Sequence, residues 1–251
     1  MVKLFELERY INEFLEVGKF DDYAPNGVQV EGKAEVKRIV TGVTACKSLI
    51  EEALEEEADL ILVHHGYFWR GEDQRIVGMK ARRLELLLKN QLSMMAYHLP
   101  LDAHPTVGNN EQLAARLGVV VDGVFGSGRV PLAVYGNLEE SMSIHAFTEH
   151  VASCVGREPL VIDAGVQNVK SVGICTGAAQ GYIADAIGLG LDAYITGEIS
   201  ENTVHVAREM GINFFSAGHH ATEKFGVCAL GDHLSEKFGI EHTFIDIDNP
   251  V

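Results

Sequence analysis

The sequence predicts an α/β fold made of two related halves, and three observations support this prediction. Short apolar runs such as Leu60 to Val63 are typical of strands buried on both faces of a parallel sheet. Segments of helical periodicity alternate with these runs, as they do in βαβ units. The dipeptide Val36-Lys37 recurs as Val169-Lys170, and Asp59 recurs as Asp192, both 133 residues later. We therefore expect a duplicated α/β unit, with chance similarity between two βαβ units as the alternative.

Composition and charge limit the class of protein. The 251 residues are enough for one large domain or two smaller ones. The formal net charge of −16 suits metal cations and argues against a surface that binds nucleic acid directly. Four scattered cysteines without a Cys-x-x-Cys motif predict reduced thiols. No apolar stretch approaches the roughly 20 residues of a membrane helix, so we expect a cytoplasmic protein without membrane contact.

Periodicity and turn residues define the elements of the first half. Asp22 to Gly27 is predicted to be a turn, because Pro25 fixes φ and Asn-Gly tolerates positive φ. The segment after His98 contains two prolines and is predicted to be extended rather than helical. Asn109 is predicted to cap a helix that ends at a glycine. The predicted helices are 4–16, 46–57, 76–90 and 109–118, and the predicted strands are 28–30, 38–45, 60–63 and 92–97.

Residues 126–168 differ in character from the segments on either side. They contain two predicted strands and one helix, which Ser143 opens and Gly156 closes, but no dense cluster of ligand-type side chains. We interpret 126–168 as a small α+β module inserted into a main α/β domain of residues 1–125 and 169–251.

Adjacent histidines, His64 and His65, end the apolar strand in the first half. In open α/β sheets, ligands bind just beyond the carboxyl ends of the strands. Where the backbone turns, both rings can swing toward one point and hold one metal or one each of a metal pair. The alternative is a hydrogen-bonded structural pair.

Two further predicted strand ends carry similar residues. One is followed by His98 and Asp102, and the other by His219 and Glu223. His219 and Glu223 are four residues apart and share one face if a helix begins near His219. All these donors are nitrogen or oxygen, which suits zinc, iron, manganese, cobalt or nickel. The set is too large for one tetrahedral ion, so we expect two divalent metal ions that share a bridging carboxylate.

Several motifs, in order along essentially the whole chain, carry a resemblance to a known family. They are Asp22-Tyr-Ala-Pro-Asn-Gly-Val-Gln-Val-Glu-Gly32, Val63-His-His-Gly-Tyr-Phe-Trp69, His98-Leu-Pro-Leu-Asp102 with Gly108-Asn-Asn110, Thr196-Gly-Glu198 and Gly218-His-His-Ala-Thr-Glu223. The chain resembles the Nif-three-like family, whose members are often named GTP cyclohydrolase 1 type 2 homologues. The resemblance implies a di-metal cleft held by His64, His65, Asp102, His219 and Glu223, with Glu223 bridging. It also implies an inserted small domain and a homohexameric ring of cytoplasmic subunits.

These expectations favour hydrolysis of a small molecule, possibly a nucleotide. If the substrate is GTP, metal-activated water attacks C8 of the purine and opens the imidazole ring. His98 is the candidate proton shuttle, and Glu198 is the candidate acceptor that orients a ligand imidazole. The alternatives are a di-metal phosphoesterase that acts on nucleotides or small phosphates, and a non-catalytic scaffold that binds metal or a partner. A P-loop motif is absent from the sequence.

Overall fold

The computed structural model describes residues 1–251 and divides into two compact units. The first unit comprises residues 1–101 and 226–248, and the second comprises 102–225 and 249–251. The helices are α1 Leu4–Phe14, α2 Lys47–Glu55, α3 Gly78–Lys89, α4 Leu99–Ala103, α5 Asn109–Leu117, α6 Ile144–Val155, α7 Ile183–Gly188, α8 Glu201–Met210 and α9 His219–Phe238. The strands are β1 Val2–Lys3, β2 Gly27–Val30, β3 Glu35–Val36, β4 Arg38–Thr44, β5 Leu60–His65, β6 Ser93–Ala96, β7 Val119–Phe125, β8 Ala133–Ser143, β9 Leu160–Ile162, β10 Asn168–Ile174, β11 Ala193–Thr196, β12 Asn213–Ser216 and β13 Glu241–Phe244. Short 3₁₀ helices occupy Val17–Lys19 and Gln180–Tyr182.

The first unit is built on a five-stranded sheet of order β13-β4-β5-β6-β2. Strands β13, β4, β5 and β6 are parallel, and β2 runs antiparallel to β6. All four residues from Leu60 to Val63 are fully buried, as a central parallel strand requires. Apolar side chains of α2 and α3, including Leu49 and Leu87, complete the core on one face. The predicted apolar strand is therefore the centre of this sheet.

The second unit has a six-stranded sheet of order β7-β8-β10-β11-β12-β9. Strands β10, β11 and β12 are parallel, whereas β8 and β9 run antiparallel to their neighbours β10 and β12. In each sheet a run of parallel strands, four in the first unit and three in the second, is thus followed by an antiparallel strand. The fold is mixed α/β with several sheets, as the sequence predicts. None of the helices combines the length and apolar character needed to span a bilayer.

The repeated sequence pattern corresponds to a repeated structural role. In the first unit, one carboxylate oxygen of Asp59 accepts hydrogen bonds from the main-chain nitrogens of Lys37 and Arg38, at 2.8 and 3.2 Å. In the second unit, Asp192 accepts from the two nitrogens 133 positions later in the chain, at 3.0 and 2.8 Å. The aspartate just before β5 therefore fixes the start of β4, and the aspartate just before β11 fixes the early part of β10. The strand registers also match, because Ile39 pairs with Leu60 and both positions recur 133 residues later.

Two local predictions about residues after β6 are wrong. The segment predicted to be extended contains the short helix α4, because Pro100 lies in its first turn, where its missing N–H costs nothing. Asn109 does not cap α5, since Gly108 occupies the cap position. Its side-chain amide instead donates to Asp102 Oδ1 at 2.8 Å. The sequence analysis also missed strand β7, which pairs with β8 in the second unit.

Residues 126–168, the predicted insert, belong to the second compact unit. They supply β8 and β9 to its six-stranded sheet, and Phe147 and Val151 of α6 to its core. Ser143 caps α6 as predicted, because its hydroxyl accepts from the main-chain nitrogen of Ala146 at 3.2 Å. The division into a main domain of 1–125 and 169–251 with an insert stays a prediction.

Candidate metal centre

Three histidines gather at the carboxyl ends of β5 and β6 in the first unit. Ring nitrogens of His64, His65 and His98 lie within 4.8 Å of one another. The ring centroids of His64 and His65 are 4.6 Å apart, and those of His64 and His98 are 5.0 Å apart. His64 is buried, whereas His65 and His98 are half-buried. The histidine doublet thus converges on one side, as its place at a strand end predicts.

Hydrogen bonds in the first unit set the orientation of both rings of the doublet. His64 Nδ1 donates to the main-chain oxygen of Tyr97 at 2.9 Å, so the proton lies on Nδ1 and Nε2 carries the lone pair that could bind a metal. His65 Nδ1 lies 3.2 Å from the Thr44 hydroxyl. The position after the doublet requires a glycine, Gly66, because a Cβ there would overlap the Gln29 amide oxygen and lie 2.6 Å from Ala96 Cβ.

The third histidine, His98, is fixed by Asp22. The two side chains meet at 2.7 Å through His98 Nδ1 and Asp22 Oδ1. Asp22 Oδ2 also accepts from the main-chain nitrogen of Leu99 and from the Asn26 amide, both at 2.9 Å. Burial alone would raise the pKa of Asp22, but these hydrogen bonds and the charge of His98 lower it below its usual value. Asp22 therefore stays ionised and directs the Nδ1–H of His98 toward itself.

Asp22 and Asn26 are site residues that the sequence analysis missed. Residues 22–27 are part of a family motif, but the only role predicted for them was a turn, because Pro25 and Asn-Gly account for the backbone geometry. The asparagine also has a second role, since its amide oxygen accepts from the main-chain nitrogen of His98 at 2.8 Å. The available signal was an aspartate four residues before an asparagine, but the partner of Asp22, His98, is distant in sequence.

In the second unit, the first turn of α9 carries His219 and Glu223 on one face, as predicted from their spacing. His219 Nε2 lies 3.2 Å from Glu223 Oε2, and His219 Nδ1 lies 2.7 Å from Glu198 Oε1. A carboxylate oxygen of Asp102 lies within 4.8 Å of one of Glu223. Glu223 and Asp102 are only 3% and 8% exposed, so two carboxylates are buried close together.

Gly177 shapes the space around this carboxylate pair. Its φ is +71°, and a Cβ built on it would overlap Glu223 Oε1 and lie 3.3 Å from His219 Nε2. The loop after β10 therefore forms a cradle for the Glu223 carboxylate that only glycine permits. Asp102 is held separately, because Oδ1 accepts from the Asn109 amide at 2.8 Å and from the Thr176 hydroxyl at 3.4 Å.

The electrostatics of the second unit favour a cation. Burial alone would lower the pKa of His219, but the hydrogen bonds and charges of Glu223 and Glu198 raise it to about 9. Cys175 has a raised pKa, first because it is buried and then because the charges of Asp102 and Glu223 disfavour a thiolate. The carboxylates therefore favour a positive charge at His219 and add to the effect of burial at Cys175.

The residues present fit a divalent metal ion. The donor set is imidazole and carboxylate, the His64 tautomer places the ring lone pair on Nε2, and a glycine cradle holds Glu223. Each unit brings its predicted site residues together: His64, His65 and His98 in the first, and Asp102, His219, Glu223 and Glu198 in the second. The structure therefore contains His, Asp and Glu groups that could bind metal.

The similarity to known proteins covers the whole chain. The family model of Duf34/NIF3 (NGG1p interacting factor 3) matches residues 2–250. The chain belongs to this family. A Pseudomonas aeruginosa protein named GTP cyclohydrolase 1 type 2 homolog is 54% identical over 99% of both chains. A Haemophilus influenzae protein of the same name is 51% identical over 98% of both. The resemblance to the Nif-three-like family is confirmed.

Two solved structures have the same fold as this chain. The protein ybgI, of unknown function, superposes with a TM-score of 0.96 at 49% identity, with full coverage of both chains. A protein from Thermus thermophilus superposes with a TM-score of 0.90 at 36% identity, also with full coverage. The mixed α/β architecture is therefore shared with these two proteins.

Proposed function

We propose that this NIF3 protein is a metal-dependent hydrolase with two divalent ions. The ligands would be those that the family resemblance implies, namely His64, His65, Asp102, His219 and Glu223. The observation that carries the proposal is that each unit gathers metal-binding side chains, which are histidines in the first unit and a histidine with carboxylates in the second. The histidines follow the carboxyl ends of parallel strands, where ligands bind in α/β folds. Within the second unit, Glu223 is close to both His219 and Asp102, which supports its role as the shared ligand.

Zinc, iron, manganese, cobalt and nickel all suit this donor set. When bound, two such ions supply Lewis acidity, which lowers the pKa of water toward neutrality and polarises the group under attack. The chain's own residues supply orientation and proton transfer. Glu198 fixes the His219 ring through Nδ1, so that Nε2 is directed toward Glu223. His98, held through Nδ1 by Asp22, presents Nε2 as the group that accepts and returns a proton.

The substrate to test first is GTP, because the two relatives reported above carry the name GTP cyclohydrolase 1 type 2 homolog. Water would add to C8 of the purine and open the imidazole ring, and hydrolysis of the resulting formamide would release formate. Binuclear nitrogen and oxygen sites also occur in phosphatases, for which phosphate would be the released product. The two reactions are distinguished by their products.

The test combines metal analysis with product assays. Purified protein, reconstituted separately with each of the five metals, is analysed for bound metal and then incubated with GTP. We expect about two ions per chain and metal-dependent formate release. Glu223→Gln and His65→Ala should lower both metal content and turnover. The control is His145→Ala, which should change neither, because the His145 side chain lies on α6 and is 83% exposed. Phosphate release without formate would favour the phosphoesterase. Absence of bound metal would refute the proposal. Bound metal without turnover of any substrate would refute the hydrolase and favour the non-catalytic metal-binding scaffold.

A further inference from the structure

Two aromatic side chains flank His98 in the first unit. The ring centroid of Trp69 lies 5.0 Å from that of His98 with the planes at 85°, and the ring of Tyr23 lies 6.3 Å away at 60°. Trp69 is also 6.0 Å from the ring of His65. Tyr23 comes from the loop before β2, and Trp69 comes from the loop after β5. Two separate loops therefore bring aromatic surface to the same histidine cluster.

Hydrogen bonds hold the indole of Trp69 and the backbone at Tyr23. The indole nitrogen of Trp69 donates to the main-chain oxygen of Gly66 at 3.2 Å. Arg70 joins the two loops. Its main-chain nitrogen donates to the main-chain oxygen of Tyr23 at 2.7 Å, and its guanidinium donates to the main-chain oxygen of Asp22 at 2.9 Å. The Trp69 ring and the backbone that carries Tyr23 are held in this way, so they lose little conformational freedom when a ligand binds, which favours affinity.

The rings retain accessible surface. Tyr23 is 57% exposed and Trp69 is half-buried, although other aromatic residues such as Tyr97 are fully buried in the core. Exposed aromatic faces beside a polar cluster suit a planar heterocycle, because base–aromatic stacking uses the face of each ring. Recognition through phosphate alone fits less well, since the chain carries a net charge of −16 and the nearby Arg70 guanidinium is already paired with Asp21 at 2.8 Å.

We propose that Tyr23 and Trp69 form a stacking site for the purine ring of the substrate. This inference rests on the proposed function, in which the histidine cluster of the first unit belongs to the reaction site. It specifies that the substrate class is a purine nucleoside or nucleotide recognised through its ring. Tyr23 and Trp69 are then determinants of specificity. Because both rings contact His98, this histidine lies next to the bound purine.

The chain contains a single tryptophan, so its fluorescence reports on Trp69 alone. The metal-free protein and the zinc-loaded protein are each titrated with guanosine, GTP and inorganic tripolyphosphate. Guanosine and GTP should quench the fluorescence saturably, whereas tripolyphosphate should leave it unchanged. Equal binding of tripolyphosphate and GTP, with no response to guanosine, would overturn the stacking site.

Variants of Tyr23 test the same site with the fluorescent reporter intact. Tyr23→Ala should weaken guanosine binding roughly 5- to 150-fold, the range that loss of one base–aromatic stack corresponds to. Tyr23→Phe keeps the ring and should bind within about 2-fold of the unchanged protein. Phe68→Leu is the control, because it removes a nearby, 39% exposed aromatic ring that has other neighbours. The Phe68 ring lies 5.0 Å from the Lys80 ammonium and edge-on to Tyr67. Thermal melting confirms that each variant is folded.

Binding and turnover separate this inference from the proposed function. Saturable quenching by guanosine that Tyr23→Ala weakens would support the stacking site even if no metal-dependent hydrolysis occurs, in which case only the hydrolase proposal fails. Metal-dependent hydrolysis with guanosine affinity unchanged by Tyr23→Ala would overturn the stacking site and leave the hydrolase proposal standing.

Discussion

His219 connects metal binding to pH at the level of a single residue. Its pKa of about 9 means that the metal-free protein carries an imidazolium between Glu198 and Glu223 at neutral pH. This charge stabilises the metal-free fold fully below the ordinary histidine value of 6.5, and its contribution is lost as the pH rises through about 9. A metal ion must displace the proton from Nε2, so protonation and metal binding compete.

We therefore expect the apparent metal affinity to rise by about tenfold per pH unit up to pH 9 and to level off above it. Competition with a chelating dye at a series of pH values measures this slope. Glu198→Gln removes one of the carboxylates that raise the His219 pKa, so the plateau should begin at a lower pH. An affinity that is constant across the range would contradict proton competition at this histidine.

At the scale of elements, the loop after β10 positions the Glu223 carboxylate through Gly177. Gly177→Ala should lower metal affinity by more than tenfold, because a Cβ there overlaps Glu223 Oε1. Gly190→Ala is the matched control, since Gly190 has a φ of +70° against +71° at Gly177 but no heavy atom near its added Cβ. Both variants should lose about 1–2 kcal/mol of unfolding free energy from the left-handed backbone.

Chelator competition measures the metal affinity of the two variants, and urea denaturation measures their stability. Only the alanine at position 177 should change the affinity. Equal metal affinities for the two variants would show that the cradle does not position Glu223.

The sequence predicted those elements whose signals are local. The apolar strand from Leu60, the Ser143 cap and the His219 and Glu223 face all follow from periodicity or spacing within one segment. The contacts of Asp22 with His98 and of Asn109 with Asp102 involve side chains that also have a plausible local role as turn or cap. Where a polar residue has both a local and a tertiary partner available, only the structure shows which one it uses.

For the whole molecule, the sequence predicted the repeat because an aspartate fixes paired strand starts in both units. Strands β7, β8 and β9 flank the parallel strands of the second sheet. Their order could not be predicted, since their pairing depends on long-range contacts. Strand β7 lies at the edge of its sheet, and its outward positions include Val120 and Val124, at 65% and 57% exposure. Asp122 is exposed between them, so this edge strand offers two apolar side chains that another chain could contact.

We propose that this edge contributes to the homohexamer that the family resemblance implies. Light scattering should then give a mass near six times the 27.4 kDa of one chain. Because every subunit carries a charge of −16, mutual repulsion should weaken the assembly at low salt and screening should strengthen it. Val120→Lys with Val124→Lys should reduce the mass, whereas Met210→Lys, at a 59% exposed position of α8, should not. A monomer at all salt concentrations would refute the hexamer, and a hexamer unaffected by the β7 substitutions would place its contacts elsewhere.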